Sequence, residues 1–313
     1  MTNSTNTPYT LDHHLFHPDA ARADALLKDC PVHAPTPMPE IDLLTKEIGV
    51  SRLWLKDERD RMGLGSFKAL GGAYAVARMI ADKAGSEDFS APVTRNAAAK
   101  MVFITASAGN HGLSVAAGAK VFGAKAVIVL AAAVPEAFAN RIRAKGADVL
   151  RVDGSYNESV EVARQVADER DWILLADGSW EGYIERPALV MEGYCVIPEE
   201  CRVAFANSDV WPTHVFLQAG VGGLAAALAA HIRLNWAERP EIIVVEPDAA
   251  PCLQRSVEAA GKNTKSGSST SASAKKTPAK KAPAKKAAAK KTAAKKSPPA
   301  KTADSKADEA KGA

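Results

Sequence analysis

From about residue 50 to residue 246 the chain alternates short β-branched runs with Ala-rich stretches of helical length. The runs at 52–56, 101–105, 126–130, 148–152, 172–175, 214–217 and 242–246 read as strands. The stretches at 67–82, 113–122, 135–145, 157–170 and 225–233 read as helices, as does 185–205 with a break near Pro198; 86–100 reads as a loop. Helical crossovers between successive strands predict an α/β fold with a mainly parallel sheet, in which ligands sit beyond the carboxyl ends of the strands.

With 313 residues the chain can bury a large core without disulfides or metals. Charge divides it unevenly. Residues 262–313 hold 15 of the 40 Lys+Arg and 3 of the 36 Asp+Glu, so that stretch carries +12 and the preceding 261 residues −8. Lys-Lys pairs begin at Lys275, Lys280, Lys285, Lys290 and Lys295, and no aromatic residue, Leu, Ile or Val follows Ala260. Such a segment has nothing to offset the entropy of ordering, which predicts a disordered tail. Lys/Ala/Pro repeats of this kind resemble the carboxyl tails of linker histones, which implies non-specific nucleic-acid contact through phosphate charge.

Cys30, Cys195, Cys201 and Cys252 show no metal-ligand spacing and read as reduced thiols, those at 195 and 201 buried. The longest apolar run is 126–134, too short for a membrane span, and the start MTNSTNTPYT is not a signal peptide. A soluble, cytoplasmic protein is expected. His13 and His17 lie one helical turn apart, but a solvated N-terminal segment accounts for them better than a metal site.

Three glycine-bearing segments stand where a strand yields to a helix. In Gln218-Ala219-Gly220-Val221-Gly222-Gly223-Leu224 the glycines let backbone N–H groups and a helix N-terminus converge on an anion. Taken alone it also fits a dinucleotide fingerprint, with Glu246 where a ribose-binding acid belongs, so an NAD site is a rival reading. In Gly63-Leu64-Gly65-Ser66-Phe67-Lys68 a lysine opens an apolar helix, where the dipole disfavours its charge; an amine that sheds its proton there can form a Schiff base. In Ser107-Ala108-Gly109-Asn110-His111-Gly112 the serine and the helix N-terminus suit a carboxylate, and the asparagine amide can donate to a phenolate oxygen. A serine near a histidine also suggests acyl transfer, but no G-x-S-x-G elbow is present.

Together GLGSFKALGGAYA at 63–75, SAGNHG at 107–112, the stretch 177–183, QAGVGG at 218–223 and VVEPDAAPC at 244–252 resemble the fold type II pyridoxal-phosphate enzymes, and within them diaminopropionate ammonia-lyase. The resemblance implies a three-layer α/β sandwich in two lobes, with a catalytic region at 35–261 between an extension at 1–34 and the tail at 262–313. It implies pyridoxal 5′-phosphate held by Lys68, with Asn110 at its 3′-oxygen and Gly220, Val221, Gly222, Gly223 and Leu224 around its phosphate. It further implies a substrate carboxylate gripped by Ser107, Ala108, Gly109 and His111, and proton transfer by Lys68 or Asp177.

The reaction so implied is α,β-elimination on a small amino acid such as 2,3-diaminopropionate; dehydration of threonine or serine is the neighbouring alternative, and a homodimer the common assembly. The ammonia-lyases carry an aspartate where this chain has Ala108, which favours the L-enantiomer. Such enzymes also continue past the strand ending at Glu246, where this chain enters its Lys/Ala tail, so the expected catalytic region lacks its last part, and an inactive scaffold with a nucleic-acid-binding tail is the remaining alternative.

Overall fold

The computed structural model describes residues 16–28 and 30–266, the side chains of 260–266 excepted. Helices α1 (Ala20–Leu27) and α2 (Asp42–Ile48) precede α3 (Lys68–Ala84) and α4 (Pro92–Ala98). Strand and helix then alternate through β1 (Val102–Ala106), α5 (Asn110–Val121), β2 (Lys125–Ala131), α6 (Glu136–Ala144), β3 (Asp148–Val152), α7 (Tyr156–Arg170) and β4 (Ile173–Leu174). After α8 (Glu185–Tyr194) and α9 (Val196–Ser208) come β5 (His214–Gln218), α10 (Gly223–Asn235), β6 (Glu241–Val245) and α11 (Cys252–Ser266).

Every strand pair is parallel, as the alternation predicts: one sheet has the order β3-β2-β1-β4 and a second pairs β5 with β6. In the four-stranded sheet, alternate residues feed opposite layers. Phe103, Ala126, Ile128 and Leu130 join the core beneath α3 and α5, whereas Ile104, Val127 and Val129 meet Ala163 and Ala167 of α7. Helix α3 is deeply set, with eleven buried residues. Its glycines permit this: a Cβ at Gly193 of α8 would stand 2.8 Å from the Gly71 Cα, and one at Gly72 would stand 2.3 Å from Ser114 Oγ of α5. Side chains at these positions would force the three helices apart.

Four expectations are corrected. Residues 52–56 form no strand of either sheet; this segment is extended but pairs with residues 37–41, through Ile41 N to Leu53 O and Leu55 N to Pro39 O, leaving an isolated bridge at Glu40 and Trp54. The expected loop 86–100 contains α4, opened by Pro92, whose missing N–H is not needed in the first turn. The break in 185–205 falls at Cys195, because Pro198 occupies the first turn of α9 and is tolerated there. The His17 segment is not solvated: Phe16 and Pro18 are buried, and the His17 N–H donates to the buried Glu192 carboxylate at 3.1 Å. His13 lies outside the described residues.

Residues 16–34, assigned from the sequence to an N-terminal extension, contribute Phe16, Ala20, Ala23, Leu26, Leu27 and Cys30 to the main core. Helix α11 continues to Ser266, past residue 262 where the tail was expected to start; residues 267–313 lie outside the described residues. Cys195 and Cys201 are buried as expected, and none of the four cysteines is bonded to another. Among the described residues no helix is long and apolar enough to cross a membrane.

Candidate active site

Lys68 is the first residue of α3, and the turn before it is shaped by three positive φ angles, at Met62, Gly63 and Gly65. Behind that turn Arg61 is fully buried. Its guanidinium donates to Glu58 at 2.7 and 2.8 Å, to Glu200 at 2.7 and 2.8 Å, to Ala34 O at 2.9 Å and to Thr36 Oγ1 at 3.0 Å. Burial opposes the charge, but Glu58 and Glu200 outweigh it and hold the guanidinium firmly protonated. This network ties residues 34–36, the turn and α9 into one block.

Lys68 Nζ donates to Asp177 Oδ2, an ion pair between residues 109 positions apart. Asp177 follows β4, and three contacts hold the backbone leading to it. Tyr183 Oη accepts from the Ala176 N–H at 2.9 Å and donates to Leu174 O at 3.0 Å; Arg186 also donates to Leu174 O, at 2.8 Å. His111, the second residue of α5, is buried, with Nε2 2.8 Å from Leu175 O. Burial alone would raise the Asp177 carboxyl, yet His111 and Lys68 beside it pull it below its ordinary value, so the carboxylate is ionised. Burial pushes the His111 imidazole down, against the opposing pull of Asp177 and Leu175.

Ser107 to Asn110 turn from the carboxyl end of β1 into α5. Ser107 Oγ accepts from the Gly109 N–H at 3.3 Å, Gly109 is the extended N-cap, and Asn110 is exposed in the first turn. Ser114 of α5 donates to Ala69 O at 3.0 Å, locking α5 to the start of α3. The 220–224 segment likewise leaves the carboxyl end of β5. Gly222, at φ +89°, is the N-cap of α10, and only a glycine adopts this angle at little cost. Val221 is exposed and Leu224 buried. Helix α8 lies between α3 and α10: Gly193 meets Gly71, while Cys195 Sγ reaches Ala227 O.

The structure thus brings Lys68, Asp177 and His111 together and sets the Ser107–His111 and Gly220–Leu224 segments each at a strand end opening into a helix. Three tyrosines come within electrostatic reach of Asp177: Tyr156, Tyr183 and Tyr194. The first and last carried no sequence signal, because the fold alone brings α7 and α8 to β4. Glu246 is not free to bind a ribose, since its carboxylate accepts from the N–H groups of Leu253 and Gln254 at 2.7 and 2.9 Å and caps α11.

The residues fit a cofactor of pyridoxal-phosphate type. Ser66 Oγ and His111 Nδ1 are buried with no hydrogen-bond partner, one two residues before Lys68 and the other on the imidazole that acts electrostatically on Asp177. A Cβ built at Gly109, Gly178 or Gly220 would meet nothing within 4 Å, so space remains beside the backbone of all three segments.

The sequence profile of the family described as "Pyridoxal-phosphate dependent enzyme" matches residues 30–295. The chain belongs to this family, and the NAD reading falls with that finding. It is 38% identical over 242 residues to the diaminopropionate ammonia-lyase of Salmonella typhimurium (strain LT2), covering 74% of this chain and 60% of that protein. To the L-threonine dehydratase biosynthetic IlvA of Haemophilus influenzae it is 30% identical over 223 residues, covering 71% of this chain and 38% of that protein. The crystal structure of diaminopropionate ammonia lyase from Escherichia coli in complex with D-serine superposes with a TM-score of 0.68 at 31% identity, covering 77% of this chain and 63% of that one. The chain therefore spans about three fifths of the length of the ammonia-lyases it matches.

Proposed function

We propose that this chain carries the catalytic site of an ammonia-lyase that eliminates the β-substituent of a small amino acid, with 2,3-diaminopropionate as substrate and a keto acid and ammonia as products. The observation that carries this reading is the Lys68–Asp177 ion pair set beside a buried, unpartnered His111 Nδ1. Lys68 would hold pyridoxal phosphate covalently, Asn110 would donate to its 3′-oxygen, and the backbone from Gly220 to Leu224 would receive its phosphate at the α10 N-terminus. When bound, the pyridine ring supplies the electron sink for charge developing at the substrate Cα.

The remaining steps belong to the chain's own side chains. Ser107, Ala108, Gly109 and His111 hold the substrate carboxylate at the N-terminus of α5, which fixes the Cα–H bond relative to Lys68. The ionised Asp177 accepts from Lys68 Nζ, so a proton taken from Cα by either group passes to the other across one hydrogen bond. The same pair can return that proton to the departing β-amine. Hydrolysis of the enamine left behind gives the keto acid and releases the α-amino group as ammonia.

Ala108 stands where the ammonia-lyases the chain resembles carry an aspartate, which leaves Asp177 as the acid of the site. L-2,3-diaminopropionate is therefore expected to turn over faster than the D-form by tenfold or more, measured as keto-acid release by the full chain. Equal rates would contradict this assignment, and turnover of threonine or serine in preference to diaminopropionate would assign the neighbouring dehydratase reaction.

A second reading concerns residues 262–313, whose +12 charge suits the phosphates of nucleic acid. Duplex DNA should bind the full chain weakly and lose affinity steeply between 50 and 200 mM salt, about as expected for several phosphate contacts. Removal of 262–313 should abolish the binding; retention by the shortened chain would refute it.

A further inference from the structure

Strand β4 lies at an edge of the four-stranded sheet, and its last hydrogen bonds decide where Asp177 leaves it. One side of the strand meets β1: the Leu175 N–H donates to Ile104 O at 2.9 Å, and Leu175 O lies 2.8 Å from His111 Nε2. Leu174 and Ala176 turn their backbone polar groups the other way, because successive residues of a strand alternate sides. Among the described residues no strand pairs with β4 on that side, so a C=O and an N–H two residues apart need other partners.

One side chain answers both. Tyr183 Oη accepts from the Ala176 N–H at 2.9 Å and donates to Leu174 O at 3.0 Å, so a single hydroxyl takes the place of a neighbouring strand. Leu174 O also receives Arg186, whereas the Ala176 N–H has no other partner among the described residues. Burial pushes the phenol up, so it keeps the proton that it donates.

The ring is itself fixed. It stacks on Trp180 with 4.1 Å between centroids and 13° between planes, and the backbones of Trp180 and Tyr183 exchange hydrogen bonds at 2.9 and 3.2 Å. Gly182, at φ +80°, supplies the turn between them. Residues 177–183 therefore form a loop closed at its base by the phenol, and Asp177 is the first residue of that loop.

We propose that Tyr183 is the positioning residue of Asp177: its hydroxyl fixes the backbone at 174–176 and so aims the carboxylate at Lys68 Nζ. This rests on the reading of Asp177 as a proton-transfer group. The tyrosine touches neither substrate nor cofactor in this role and acts through the aspartate alone.

A double-mutant cycle tests it, read as kcat for keto-acid release from 2,3-diaminopropionate by the full chain saturated with pyridoxal phosphate. Tyr183→Phe keeps the ring on Trp180 and should lower kcat about 10- to 100-fold, the cost of a reacting group displaced by a fraction of an ångström to 1 Å, with cofactor affinity unchanged. In the Asp177→Asn background the same substitution should alter kcat by less than about twofold, since a carboxylate that is gone cannot be misaimed. Trp180→Leu, which slackens the ring but keeps the hydroxyl, should show a smaller loss that vanishes in the same background, and it serves where the phenylalanine variant does not fold. A loss of equal size in both backgrounds, or none in either, would overturn the proposal. Wild-type kcat in Asp177→Asn alone would refute the proton-transfer reading and the positioning role with it, whereas a loss there without one in Tyr183→Phe would refute the tyrosine only.

Discussion

Asp177→Asn is expected to lower keto-acid release from 2,3-diaminopropionate by about 10²- to 10⁴-fold, the usual worth of a positioned proton-transfer group. The substitution keeps the shape of the side chain but removes the charge that accepts from Lys68 Nζ. It also removes the negative neighbour that opposes the burial of His111. Binding of pyridoxal phosphate should survive, because no phosphate-loop residue is touched, so the loss should fall on kcat rather than on cofactor affinity. Steady-state kinetics with saturating cofactor separates the two. A variant that retains wild-type kcat would remove Asp177 from the proton path.

Arg61→Ala is expected to cost about 3–5 kcal/mol of stability, read from chemical denaturation, since it strands buried carboxylates that have lost their main cation. Glu200 keeps Lys56, but Glu58 keeps only the Thr36 hydroxyl among the partners they share with Arg61. Both acids are nearly covered, at 15% and 12% side-chain exposure, so water recovers little of the loss. The effect should reach the active site as well, because the Met62–Gly65 turn starts at this arginine. A change under about 1 kcal/mol, the usual worth of a surface pair, would show that the network contributes nothing beyond surface charge.

The contrast between these two residues explains how much of the molecule was legible in the sequence. The two strand-to-helix loops stand out because glycines and polar residues interrupt apolar runs at the ends of strands, where parallel sheets place their ligands; Lys68 stands out as a cation opening an apolar helix after a glycine turn, and Asp177 only through the family resemblance. Strand β2 emerges nearly to the residue for a related reason: buried on both faces from Ala126 to Ala131, it is a continuous apolar run. Arg61 sits in Lys56-Asp57-Glu58-Arg59-Asp60-Arg61, a run whose composition describes a solvated face. Only its pairing with Glu200, 139 residues away, puts it inside.

The other misreadings share this origin. Residues 52–56 have strand composition, but their backbone partners are the loop 37–41 and not the sheet. Glu246 has the position of a ribose acid and is spent as a helix cap. Tyr156 and Tyr194 approach Asp177 only because α7 and α8 converge on β4, a consequence of long-range packing that local periodicity does not encode.

The central claim is that Lys68 is the cofactor lysine of this chain. Borohydride reduction of the full protein after incubation with pyridoxal phosphate, followed by peptide mass mapping, tests it at the residue itself. The account predicts a pyridoxyl adduct concentrated on the peptide containing Lys68. An adduct spread over the tail lysines with Lys68 unmodified would contradict it.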